Sequence, residues 1–144
     1  MRWLVAALVV LGLTGCVGPA PTTGAYVGKA AHTAAEALAE LETARLAVEN
    51  AGRMPASYLD TVLSNAEDAY GSIVMTFDSI QPPDDPAADQ IRSDLDELLS
   101  DGSDGIAHLR ILARRGDAAG MRSTAADLGK IADGLDRFNE VHDS

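Results

Sequence analysis

The chain has 144 residues, a formal charge of -11, a single cysteine and only 4 % aromatic residues. That length belongs to one domain, one cysteine excludes an internal disulfide, and the core must be built from aliphatic side chains. So negative a charge is repelled by phosphate backbones and anionic lipid heads; this argues against nucleic acid as a partner, and basic residues cannot do any membrane binding.

Met1 and Arg2 make a short positive start, and Trp3 to Leu13 follow as an apolar run interrupted only by Gly12. A helix needs about 20 apolar residues to cross a hydrocarbon core, so this run is too short to span and has the proportions of a secretory signal. It closes on Leu13-Thr14-Gly15-Cys16, which resembles the lipobox of bacterial lipoproteins. The resemblance implies diacylglycerol on the Cys16 thiol, cleavage just before that residue and, commonly, acylation of the new amine. Residues 1–15 are then signal peptide and Cys16 opens the mature chain, whose charge falls from -11 to -12 with the loss of Arg2. Two or more acyl chains anchor firmly, at about 0.8 kcal/mol per buried CH2. The resemblance covers residues 1–16 alone. It implies an address on the outer face of the bacterial membrane, not an activity.

Val17 to about Ala25 reads as a flexible linker, rich in Pro, Gly and Thr and without charge. Extended at about 3.3 Å per residue, it would lift the domain by roughly 30 Å. Beyond it, residues 27–144 divide into four helical patterns. The first, about 27–51, carries Val27, Ala30, Ala34, Ala37, Leu41, Ala44 and Val48 at three- and four-residue steps, with Gly52 as the expected left-handed terminator. The second, about 57–81, follows Pro55. Ser57 and Asp60 suggest a capping box, Leu59 to Ile80 give the cleanest apolar stripe, and Pro82 stops it. The third, 86–115, opens on Asp85-Pro86, an N-cap carboxylate before a first-turn proline. Gly102 and Gly105 interrupt its composition but not its period, which predicts one long helix. Gly116-Asp117 places a C-cap and an N-cap side by side, so the fourth helix, about 117–141, folds straight back. No alternating β-branched run predicts a strand. The expected fold is all-α: an antiparallel up-down-up-down four-helix bundle behind a tether.

Few residues suggest chemistry. Asp101-Gly102-Ser103-Asp104-Gly105 looks like the start of a calcium loop. An EF-hand, however, needs glycine at its sixth position and glutamate at its twelfth, where this chain has Ile106 and Leu112. Asp94, Glu97, Asp101, Asp104 and His108 fall along one edge of the third helix. Of these, Asp101, Asp104 and His108 are candidate ligands for a divalent cation, since carboxylate oxygen and neutral imidazole are ordinary ligands. His32 and His142 belong at one end of such a bundle, where a haem could be ligated, but His32 points opposite the apolar stripe and no C-x-x-C-H is present. Arg110, Arg114 and Arg115 suit the negative end of a helix dipole. Met75, opposite its stripe, predicts an exposed apolar side chain. No nucleophile elbow or facing carboxylate pair appears, so an enzyme is not expected, nor any cofactor. The sequence points to a binding module, held to the membrane at Cys16 and facing another envelope protein. The rival is a metal-binding module on the acidic edge. Tethered phage-exclusion lipoproteins share this address and helicity, though no motif.

Overall fold

The computed structural model describes residues 20–142; the predicted signal, Cys16 and the first residues of the linker lie outside them. Four helices follow in order: α1 (Thr23–Glu49), α2 (Ala56–Asp78), α3 (Pro86–Arg115) and α4 (Ala118–His142), with a 3-10 turn at Ala51–Arg53 between the first two. No strand occurs among the described residues. The helices run up, down, up, down. α1 and α3 each pack against both α2 and α4, and they also meet each other across the diagonal, so α1 touches all three other helices.

The reason lies in α1's composition. Its inner face is mostly alanine (Ala30, Ala34, Ala37 and Ala44 are buried), punctuated by Leu41. Small side chains let neighbouring backbones come close, and the larger residues opposite fill the space. Leu63, Leu95, Leu99, Ile106, Leu109, Leu128 and Leu135 form the aliphatic core, with Tyr26, Tyr70 and Phe77 as its large rings.

Four predicted boundaries need correction. α1 starts at Thr23, four residues before Val27, because the Thr22 hydroxyl caps it by accepting from the Ala25 N–H at 3.2 Å. Ala20, which belongs to the predicted linker, is only 3 % exposed and sits in the core. The tether is therefore shorter than its composition suggests. At the far end of α1, Gly52 does not turn left-handed; Asn50 closes the helix, its side-chain amide donating to the Leu46 carbonyl at 2.8 Å. α2 begins at Ala56 with Pro55 as its cap residue, so the Ser57–Asp60 box does not form. It also ends three residues early, at Asp78. Arg92 from α3 donates to the Ile80 carbonyl at 3.0 Å and the Asp78 carbonyl at 3.4 Å, taking over carbonyls that further helix would have used.

α3 keeps its predicted limits and stays helical through both glycines. Tertiary packing explains why. A Cβ at Gly102 would lie 2.1 Å from the Tyr70 hydroxyl oxygen, and one at Gly105 would lie 2.4 Å from Leu128 Cδ2. The two glycines are notches, one for α2 and one for α4. At the α3–α4 hairpin Gly116 takes φ 67°, and the Asp117 carboxylate accepts from the Gly120 N–H at 2.8 Å.

The end where α1 and α3 begin is stitched by side chains. Thr23 Oγ1 donates to Asp85 Oδ2 at 2.5 Å, while Asp85 Oδ1 accepts from the Ala87 N–H at 3.0 Å. The Thr23 hydroxyl first, then the Ala87 N–H, holds the Asp85 carboxyl below its ordinary range. A depressed folded-state value contributes stability above the unfolded value, near pH 3.9, and that contribution is lost as pH falls through the folded value. Asp85→Ala should therefore melt below the parent at pH 7, and the gap should narrow as the pH is lowered below about 4. Thermal melts across that range check it, and a gap that widens in acid would refute it.

Candidate functional site

Two grooves flank α4. The first lies between the middle of α3 and α4, with a volume of about 440 Å3. Asp101, Asp104 and His108 line it from α3, and Thr124 and Asp127 face them from α4. Gly105 opens its floor, where Leu128 is seated. The three predicted residues thus do share one surface, because steps of three and four bring side chains to the same helix face. They do not converge. His108 Nδ1 has the Thr124 hydroxyl at 3.4 Å and Asp127 is engaged by Lys130 at 2.6 Å. Among the described residues no group of three His, Cys, Asp or Glu is close enough to hold an ion.

The remaining sequence candidates are equally placed. His32 points outward and meets Glu36 at 3.3 Å, while His142 packs on the Phe138 ring with centroids 4.5 Å apart. They do not form a facing pair. Arg110 is drawn into an ion pair with Glu67 on α2, so the helix dipole is not its only partner. Met75 is 67 % exposed, as its position on the wheel predicts.

The second groove lies at the opposite end from the Thr23–Asp85 contact, between the last turns of α1 and the first turns of α4. Its volume is about 590 Å3. Val48, Met121 and Ala125 are its buried floor; Ala51, Gly52, Ala118 and Ala126 are its walls. Arg45, Glu49 and Arg122 stand at its rim. Arg45 is fixed in place: its guanidinium pairs with Glu42 at 2.5 Å and lies against Gly129, where a Cβ would be 3.2 Å from Cζ. Its Nε is buried without a hydrogen-bond partner among the described residues.

Sequence reasoning did not find this groove. A helical wheel marks alanine as inward but not what faces it. The available signal was the pairing of small with small, Ala51-Gly52 at one helix end against Ala118, Ala125 and Ala126 at the other. Neither side reaches far enough to fill the gap.

No helix among the described residues is long and apolar enough to cross a membrane. Compared with protein-family models, curated proteins and solved structures, the chain matches none of them, so any reading of its function stands on its own residues and geometry.

Proposed function

We propose that this is a lipid-anchored binding module of the bacterial cell envelope, without catalytic activity, joined to the outer face of the membrane at Cys16. The observation that carries the reading is the short distance between Leu13-Thr14-Gly15-Cys16 and the first core residue. Only Val17, Gly18 and Pro19 separate Cys16 from buried Ala20. Four residue steps reach at most about 14 Å. A lipid at Cys16 would therefore hold the Thr23–Asp85 end of the bundle beside the headgroups. α1, with 27 residues, is about 40 Å long, so the end with the 590 Å3 groove would face away from the bilayer. Anchor and groove then occupy opposite ends, as suits a module that meets something beyond the membrane.

Intact mass spectrometry of the chain recovered from cell membranes tests the anchor. The expected product begins at Cys16 and carries diacylglycerol, and Cys16→Ala loses both the lipid mass and the cut at that position. An unmodified thiol, or a first residue other than Cys16, would remove the anchor from this reading.

A further inference from the structure

The chain is strongly acidic, yet four of its five unpaired arginines share one end. Among the described residues Arg53, Arg114, Arg115, Arg122 and Arg137 make no ion pair, and of these only Arg137, late in α4, belongs to the other end. Arg53 follows α1, Arg114 and Arg115 close α3, and Arg122 stands in the opening turns of α4, so all four belong to the end that carries the 590 Å3 groove. The helix dipole accounts for Arg114 and Arg115 at a C-terminus. It does not account for Arg122, which lines the groove in the opening turns of α4, where the dipole disfavours a cation. Of the carboxylates at this end, Glu42 binds Arg45 and Asp117 caps α4, while Asp60, in the opening turns of α2, makes no ion pair among the described residues and does not line the groove. Glu49 alone lines the groove, on the α1 side.

We propose that this groove docks an acidic segment of a partner protein, its apolar side chains on Val48, Met121 and Ala125 and its carboxylates toward Arg122 and the arginines beyond. The apolar floor supplies contact area and the cationic rim selects the charge, a division of labour common to peptide recognition. A second copy is a poor occupant. A two-fold pairing through this end would set the same patch against itself, arginine facing arginine. The inference deepens the binding-module reading by naming the surface and the partner's chemistry, and it does not require the lipid.

The test uses the full chain purified as cells make it, in zwitterionic nanodiscs, with the mass of the same sample reporting on Cys16. Fluorescent peptides with one shared Leu/Val core, flanked by Glu, Gln or Lys, are titrated by anisotropy. The expected order is Glu over Gln over Lys, and the Glu peptide should lose roughly tenfold or more in affinity as salt screens the rim. Ala126→Trp, an exposed wall residue chosen so that the core is untouched, should abolish binding. Arg122→Glu should shift preference toward the Lys peptide. Equal affinity for all three peptides, no binding at millimolar concentration, or full binding by both variants would overturn the proposal. So would occupancy of this groove by anionic vesicles, free fatty acid or a second copy in preference to the Glu peptide. A bare thiol at Cys16 with the Glu peptide still bound would remove the anchor and leave the groove standing.

Discussion

Gly102→Ala is expected to lower the melting temperature, although alanine is the better helix former. Propensity alone favours the change by about 1 kcal/mol. Packing opposes it: the new methyl would lie 2.1 Å from the Tyr70 hydroxyl oxygen and 2.7 Å from its Cζ. Tyr70 is 1 % exposed and has little room to retreat. Overpacking of a filled core costs about 1–3 kcal/mol, and a clash with a rigid ring belongs at the upper end. The net loss is about 2 kcal/mol, or on the order of 8 °C in a domain of this size. The partner residue supplies the control. With Tyr70→Leu as background, Gly102→Ala should turn neutral or stabilising, because the ring that forbids the methyl is gone. Tyr70→Phe should not rescue it, since Cζ remains. By itself Tyr70→Phe should cost little, because the buried hydroxyl has no hydrogen-bond partner among the described residues and an unsatisfied polar group is expensive to keep. A melting temperature that rises with Gly102→Ala alone would show that the notch is not tight.

Phe77→Ala should have the larger effect, about 3–5 kcal/mol, the usual range for truncating a buried phenylalanine. Phe77 is fully buried, and its loss would be felt by three helices. Its ring lies 5.9 Å from that of Tyr26 on α1, tilted by 35°, and the Arg92 guanidinium of α3 stands 5.8 Å from its centroid. Arg92 in turn holds the carbonyls that end α2 and pairs with Asp78 and Asp96. Removing the ring leaves a cavity and loosens the cation that terminates α2. Arg92→Met keeps the aliphatic stem and discards the head, so it should cost less, about 1–2 kcal/mol. Urea denaturation orders the two variants. A Phe77→Ala loss below about 1 kcal/mol would mean that the core closes over the gap.

What the sequence made legible was chemistry confined to neighbours along the chain. Asp85-Pro86 and Gly116-Asp117 start, stop and reverse helices through backbone preferences and short side-chain reach, and both ends of α3 fall where those residues predict. What it hid depended on distant partners. Ala20 and Tyr26 are buried by tertiary contacts, so a stretch composed like a linker folds as helix and core. α2 stops early because Arg92, more than a turn into the next helix, claims its last carbonyls. The acidic edge followed from steps of three and four, and its three candidate ligands do share a groove. Whether they converged depended on what α4 offered opposite. It offers Thr124 and a carboxylate already held by Lys130. The arginine-rimmed groove was harder still to foresee, since it comes from side chains too short to meet.

The pairing of α1 with α4 joins the first helix to the last, and it is the most extensive contact in the bundle. An alanine face buries little area on its own, so α1 gains little from docking on α2 alone. During synthesis the earlier segments must wait for the final one, and a chain lacking its last twenty-odd residues would present a bare, weakly cohesive sheath. A single-domain bundle closed in this way is expected to unfold as one cooperative unit, with its C-terminal helix as the bolt.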